Sequence, residues 1–346
     1  MTSIPPEPPK ASEPVKPEVM LPKASGQINR RKLLGRIGSV LLIVVVFGFI
    51  TLALVGNWNA VREDLRSIPV TSLLASGASG GAALLFAAAA WIIILRAVAP
   101  PVPTHDCLTI FFAGQLGKYA PGSVWPAMIQ AQLGRSNGVP RAKMVTTYVA
   151  AVVLSVGAAG SVGLLVLVGG VSDSALALAL GVAAGSWLLV AVVLHERGLQ
   201  RVLQPLFTRI GREVPTVQIP FRPAMLAATL SVLSWFAFGL HAWFIAQPLG
   251  ADLGDLLTVV GAFALAFLAG IALLPLPAGA GVREAVLIAL LGASLGRPGA
   301  ITLALVSRFV LILTELILGL VTGVPSSVRR ARRSALEPLS ATPVDS

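Results

Sequence analysis

The sequence predicts an all-α polytopic membrane protein, and its composition, hydropathy and charge spacing all support this fold class. Of the 346 residues, 55% are apolar and only 12% are charged, against about 25% charged residues in an average protein. The mean hydropathy is +0.85. Charges cluster between apolar runs of about twenty residues, the length that a helix needs to cross roughly 30 Å of hydrocarbon. We therefore expect about six transmembrane helices and two further apolar segments that Gly and Pro interrupt, which makes eight apolar segments.

The two ends of the chain differ in composition from its centre. Residues 1–28 are rich in Pro, Glu, Ser and Lys and have few bulky apolar side chains. Such a segment cannot bury enough surface to offset its ordering entropy, so we predict a disordered cytoplasmic tail. The transmembrane domain is expected over residues 29–325, and a basic and polar cytoplasmic tail over residues 326–346.

Six uninterrupted apolar runs are predicted to span the membrane. They cover approximately residues 37–56, 70–98, 144–169, 174–194, 223–248 and 300–323. If the first basic cluster lies on the cytoplasmic side, the only basic residues in the predicted outer loops are Arg62, Arg66 and Arg297. Because Lys and Arg concentrate in cytoplasmic loops, we expect a multi-pass plasma-membrane protein with both termini in the cytoplasm.

Gly and Pro interrupt the remaining two apolar stretches, residues 106–135 and 255–291. Irregular backbone at membrane depth persists only where protein or a hydrated cavity supplies hydrogen-bond partners. Both arms of the first stretch have about thirteen residues, or roughly 20 Å of helix, which is too short to cross. A re-entrant hairpin is therefore predicted there. In the second stretch, residues 256–274 could cross fully while residues 282–291 could not, so two full spans remain an alternative.

The hairpin model gives the two stretches opposite orientations. The first enters from the cytoplasm and the second from outside, an arrangement found in secondary transporters built from inverted repeats. Both halves share the order half-helix, Gly/Pro turn, half-helix and spanning helix. The sequence thus predicts an inverted repeat with a substrate site near the midplane.

The first turn offers five candidate substrate-binding residues: Lys118, Tyr119, Pro121, Gly122 and Ser123. Ser123 is suited to cap the returning half-helix, whose free N–H groups carry partial positive charge. Lys118 adds a full positive charge. A lysine at membrane depth indicates function unless its side chain snorkels to the surface.

The second turn and the last span supply Gly279, Gly281, Arg283, Glu284 and Arg308 as further candidates. The glycines allow close backbone approach, and the planar guanidinium of Arg283 suits a phosphate. Glu284 could fix Arg283, bind a proton or meet a cationic headgroup; a purely structural Arg–Glu pair is the alternative. Arg308 is expected to face the bundle interior, where it pairs with Glu284 or with the ligand.

Two more polar residues lie within predicted spans, and both are weighed against structural roles. Glu315 follows Arg308 by two helical turns and is expected on the same inward face. His241 either relays protons or is a hydrogen-bonded packing residue.

The sequence holds none of the common catalytic or metal-binding motifs. It has no Walker loop, HExxH or GxSxG pattern, and Cys107 is its one cysteine. We therefore expect no enzymatic activity, metal site or cofactor. Nucleic acid is not an expected partner either, because the basic residues flank apolar spans on alternate sides.

The two turns resemble a known family. PLPAGAGVREAVLIALL, followed by SRFVLILTELILGLV, resembles the P-x-P-x-G-x-G-x-R-E signature and downstream Arg of the lysylphosphatidylglycerol synthase transmembrane-region family. GKYAPGSVW is similar to a variant of that family's first conserved turn, although the acidic residue that many members place after it is absent. The resemblance covers roughly residues 35 to 325. It implies a flippase-like domain that moves or accommodates lipids, without the soluble aminoacyltransferase of bifunctional members.

These observations predict a lipid translocase. It would move a phospholipid or a lipid-linked glycan across the plasma membrane, with the headgroup phosphate held by the two turns, Lys118 and Arg283. The alternative is a non-transporting membrane scaffold for a separate glycosyl- or aminoacyl-transferase. Small-solute or ion transport is a third hypothesis, although no acidic relay runs through the spans. Membrane lipids are the expected partners; a transferase partner and homo-oligomers are left open.

Overall fold

The structure is a computed structural model that describes residues 58–119, 124–164, 181, 185, 196–209, 218–272 and 279–336. All regular elements within these residues are helices, so the all-α fold class is confirmed for them. The α-helices are α1 (Trp58–Ser67), α2 (Val70–Val98), α3 (Thr104–Gly117), α4 (Trp125–Arg135), α5 (Arg141–Gly163), α6 (Glu196–Arg209), α7 (Phe221–Ala246), α8 (Leu256–Ala272), α9 (Val282–Leu291) and α10 (Gly296–Leu336). Two 3₁₀ turns, Gln247–Leu249 and Leu253–Asp255, lie between α7 and α8.

Five of the described helices are long and apolar enough to cross a membrane. They are Val70–Val98, Arg141–Gly163, Phe221–Leu249, Leu253–Ala272 and Gly296–Gly323. Four of them coincide with predicted spans, and the fifth is the arm for which the sequence left full crossing open.

Some predicted segments lie outside the described residues. These are the N-terminal tail, the span 37–56 and, apart from residues 181 and 185, the span 174–194. At the C-terminal end the backbone of α10 continues as helix to Leu336, past the predicted end of the last span and into the predicted tail.

Prolines set the starts of four helices. Pro69, Pro103, Pro140 and Pro220 are the N-cap residues of α2, α3, α5 and α7, with ψ angles of 151°, 137°, 137° and 151°. Each proline carbonyl accepts the first hydrogen bond of its helix, for example from Cys107 N–H at 3.0 Å. A proline has no N–H to lose at this position, and its ring fixes φ. The sequence therefore determines where these helices begin.

Small residues let α2 and α7 pack closely, as is common in membrane helix pairs. Ser79 donates a hydrogen bond to the Ala237 carbonyl at 2.8 Å, and Ser234 donates to the Ala83 carbonyl at 2.8 Å. Side-chain hydroxyls of one helix thus bond to the backbone of the other in both directions. This contact places α7 beside the residues of α10 described below.

Contacts of α10 define the two ends of the bundle. Near its start, Thr302 donates to the Asp64 carboxylate of α1 at 3.2 Å. Towards its other end, the Thr322 carbonyl accepts from Thr109 of α3 at 2.8 Å. About twenty residues separate these two threonines, which corresponds to about 30 Å of helix. That distance equals the thickness of the hydrocarbon core.

The two broken stretches form hairpins that open towards opposite ends of the bundle. The α3–α4 hairpin begins near Thr322, because Thr109 of α3 donates to the Thr322 carbonyl. At the other end of this hairpin, Arg141 at the start of α5 donates to Gln132 near the end of α4 at 2.9 Å. The α8–α9 hairpin begins near the start of α10, because a Cβ built on Gly299 would lie 3.8 Å from the carbonyl oxygen of Leu249, which precedes α8. It ends there too, since only residues 292–295 separate α9 from α10. Re-entry of the hairpins into a bilayer and the inverted repeat stay predictions.

Candidate binding site between the two hairpins

The turn of the first hairpin is joined to α10 through Glu315. Lys118, directly after α3, donates from Nζ to Glu315 Oε1 at 2.5 Å. The Tyr119 hydroxyl donates to the other carboxylate oxygen at 2.8 Å. Glu315 is only 2% exposed, so Lys118 points towards the bundle interior instead of snorkelling to the surface.

The turn of the second hairpin is joined to α10 through Glu284. Its Oε1 accepts from Arg308 at 2.5 Å, and its Oε2 accepts from the Gly281 N–H at 2.5 Å. Glu284 is the third residue of α9, a position from which a carboxylate reaches back to a free N–H of the first turn. The sequence left open whether Arg308 pairs with Glu284 or with the ligand. In this structure it pairs with Glu284.

Glycines hold the second turn against α8. Gly279 and Gly281 have φ angles of +64° and +85°, in the left-handed region that favours glycine. A Cβ on Gly279 would lie 2.8 Å from the Gly270 Cα atom, and a Cβ on Gly270 would lie 2.9 Å from Arg283 Cγ. The close backbone approach that the sequence predicted is thus present, and it positions Arg283.

Arg283 differs from Lys118 and Arg308 in that, among the described residues, no carboxylate is ion-paired or hydrogen-bonded to it. Its Cζ atom lies 5.2 Å from the centroid of the Phe263 ring, a cation–π distance. Within the described residues, Arg283 makes no hydrogen bond and no ion pair. Since Glu284 pairs with Arg308 and Glu315 with Lys118, the cluster of three cations and two carboxylates carries one uncompensated positive charge.

These side chains surround a small cavity of about 30 Å³. A cavity of this size has room for about one water molecule. It is lined by Lys118, Tyr119, Arg283, Glu284, Leu287, Ala304, Ser307, Arg308, Leu311 and Glu315. We call it the charged cavity.

The charged cavity brings together five of the predicted site residues. These are Lys118, Tyr119, Arg283, Glu284 and Arg308. Gly279 and Gly281 shape the adjacent turn without lining the cavity. The predicted site residues Pro121, Gly122 and Ser123 lie outside the described residues.

The charged cavity lies halfway along α10. Arg308 is about 9 Å of helix from Thr302, and Glu315 is about 10 Å from Thr322. The residue midway between Arg308 and Glu315 therefore nearly coincides with the midpoint between the two threonines. The residues that follow α3 and those that begin α9 contact α10 at this central level.

Sequence reasoning missed Ser307 and left the role of His241 open. Ser307 lines the charged cavity and is 1% exposed. His241, which is 0% exposed, lies with Nε2 2.9 Å from Ser307 Oγ. A signal for Ser307 was available, because it precedes Arg308 and shares the helical face of Leu311 and Glu315.

Comparison with known proteins identifies a family to which this chain is similar. Residues 36–319 match the family model described as lysylphosphatidylglycerol synthase TM region. The match includes every residue that lines the charged cavity. No curated protein gives a significant match.

Proposed function

The chain belongs to the lysylphosphatidylglycerol synthase TM region family, and from this membership we propose that it translocates a phospholipid or a lipid-linked glycan. Its helices make it a multi-pass membrane protein. The proposal places it in the plasma membrane with both termini in the cytoplasm, and gives it no transferase activity of its own.

The uncompensated charge of Arg283 carries this proposal. A cation buried without an anion costs free energy, and charges inside a membrane domain mark functional pathways. Arg283 is partly buried and lines a cavity at the middle of a bundle about 30 Å long, and within the described residues no carboxylate is ion-paired with it. A phosphate group would supply the missing anion, and the guanidinium fork suits bidentate phosphate binding.

Lys118 enters the proposed mechanism by changing partners. It is paired with Glu315 in this structure, so it can bind a phosphate only as that ion pair opens. Exchange of one anion for another keeps the ammonium charge compensated while it loosens the first hairpin from α10. Headgroup binding would thereby be coupled to movement of a hairpin.

A second, apolar cavity supports a lipid over a small solute. It has a volume of about 780 Å³ and lies between α2 and α10. Leu74, Phe309 and Leu313 are among its lining residues. Acyl chains of a lipid could pack in this apolar cavity.

The test is lipid movement in vesicles that contain only this chain. We expect Arg283→Gln to slow the transfer of dye-labelled phosphatidylglycerol by roughly tenfold or more, because a charge-assisted hydrogen bond contributes about 1.5–3 kcal/mol. Arg62→Gln is the matched control, since Arg62 is exposed on α1. Equal rates for both folded variants and the wild type would overturn the proposal.

A scaffold for a separate transferase is the second candidate, and the two ion pairs favour it. Lys118–Glu315 and Arg308–Glu284 each join a hairpin to α10, which a purely structural clamp would also do. The same vesicles distinguish the two candidates. If the protein is a scaffold, lipid transfer stays at the rate of protein-free vesicles, and deleting the protein from cells impairs only the partner enzyme.

A further inference from the structure

The charged cavity has more hydrogen-bond donors than its carboxylates can satisfy. The carboxylate oxygens of Glu284 and Glu315 each already accept a hydrogen bond. Arg283 presents five N–H donors, yet within the described residues it makes no hydrogen bond and no ion pair. The cavity that it lines therefore lacks an acceptor for the Arg283 guanidinium.

The charges of the cavity show the same imbalance. Lys118, Arg283 and Arg308 supply three cations, whereas Glu284 and Glu315 supply two carboxylates that are 5% and 2% exposed. Charges attract strongly where protein replaces water, and a buried charge without a counterion costs free energy. A single monovalent anion would balance the cluster.

The size of the charged cavity limits what that anion can be. Its volume of about 30 Å³ has room for about one water molecule. A phosphate or sulfate group is much larger than that and does not fit while Lys118 and Arg308 stay paired with their carboxylates. A halide ion is a sphere little larger than a water molecule. It also tolerates contact with aliphatic carbon, which Leu287, Ala304 and Leu311 supply.

We propose that the charged cavity binds one chloride ion, held by Arg283 together with Lys118 and Arg308, which line the same cavity. The ion balances the charge of the cluster in the closed arrangement, in which both ion pairs to α10 are intact. The inference goes beyond lipid translocation. A headgroup phosphate can enter only after the Lys118–Glu315 pair opens, whereas chloride occupies the cavity while that pair is closed.

Equilibrium dialysis against radioactive chloride tests this site in the purified, delipidated wild-type chain, with sodium gluconate keeping the ionic strength constant. We expect saturable binding of one chloride ion per chain, because the cavity holds one particle of that size. Bromide should displace the chloride readily. Sulfate and gluconate should need concentrations roughly tenfold higher or more, since a larger ion loses at least one charge-assisted hydrogen bond. Absence of saturable binding, or equal displacement by all three ions, would overturn the inference.

Two variants should change the chloride affinity in opposite directions. Arg283→Gln removes the cation that has no carboxylate, so it should weaken binding roughly tenfold or more. Glu315→Gln removes the anion that holds Lys118, so it should strengthen binding by a similar factor. Loss of folding could only weaken binding. Arg62→Gln on the exposed side of α1 is the matched control and should leave the affinity unchanged, and weaker binding by folded Glu315→Gln would contradict the chloride site.

Thermal unfolding in detergent gives a second readout that involves no lipid transfer. A ligand that binds only the folded protein stabilises it, so the unfolding midpoint of the wild type should rise as chloride replaces gluconate. The midpoint of Arg283→Gln should rise much less, and an equal rise in both proteins would overturn the chloride site. Absence of chloride binding leaves lipid translocation intact, and absence of lipid transfer in vesicles overturns the proposed function but leaves the chloride site.

Discussion

At the scale of single residues, the charged cavity is defined by which carboxylate pairs with which cation. Arg283 and Glu284 are adjacent in sequence, but successive residues of a helix do not face each other. Glu284 instead reaches Arg308, and Glu315 reaches Lys118. The residue left over, Arg283, is the one to which we assign the phosphate.

The Lys118–Glu315 pair gives a prediction about stability. Glu315→Gln alone leaves the Lys118 ammonium without its anion, so we expect a loss of about 3 kcal/mol, in the range for breaking buried pairs. The double variant Lys118→Met, Glu315→Gln removes both charges and keeps an acceptor for Tyr119. It should recover most of that stability, as measured by thermal unfolding in detergent.

The control for these two variants is the substitution of an exposed glutamate. Glu63→Gln on α1, where Glu63 is exposed, should change the free energy of unfolding by less than about 0.5 kcal/mol. If the double variant is no more stable than Glu315→Gln, the two residues do not act as a pair.

At the scale of elements, the second turn depends on backbone contact between α8 and the residues before α9. A methyl group on Gly279 would meet both a left-handed backbone and the Gly270 Cα atom 2.8 Å away. Gly138 has a similar φ of +79° but nothing within 4 Å of its Cβ position. Comparing alanine substitutions at these two glycines therefore separates the free-energy cost of the left-handed backbone from that of the steric contact.

We expect Gly279→Ala to destabilise the protein more than Gly138→Ala. Both variants incur about 1 kcal/mol or more for a left-handed non-glycine residue, and only the first adds overpacking of about 1–3 kcal/mol. Thermal unfolding of the two variants beside the wild type measures the difference. Equal destabilisation would show that the Gly270–Gly279 contact is not tight in the membrane protein.

Element boundaries were more predictable from sequence than their partners were. Gly/Pro turns and the short arms around Lys118 predicted broken helices, and prolines such as Pro140 mark helix starts. The pairing of Lys118 with Glu315 bridges 197 positions, so it depends on how α3 and α10 pack, which hydropathy does not encode. For the same reason, the contact between His241 and Ser307 could not be predicted, because it depends on how α7 packs against α10.

At the scale of the whole molecule, α10 is the element that both hairpins share. The α3–α4 hairpin approaches from the Thr322 end and the α8–α9 hairpin from the Thr302 end. Their turns reach Glu315 and Arg308 near the middle of the helix. A ligand bound there would contact both halves of the domain, which is what alternating movement of two halves requires.

Opposed hairpins predict opposite labelling of two serines. Ser294, just after α9, and Ser136, just after α4, are both exposed. In a Cys107→Ala background, we expect a membrane-impermeant maleimide to label Ser294→Cys in intact cells. Ser136→Cys should react only after the membrane is permeabilised, and labelling of both from one side would contradict the opposed arrangement.

Native mass spectrometry of the gently extracted chain tests most directly whether Arg283 holds a lipid phosphate. We expect the wild type and the Arg62→Gln control to retain phosphodiester lipid, and Arg283→Gln to retain roughly tenfold less, given the energy of one charge-assisted hydrogen bond. Equal lipid retention by all three folded proteins would contradict an anion site at Arg283.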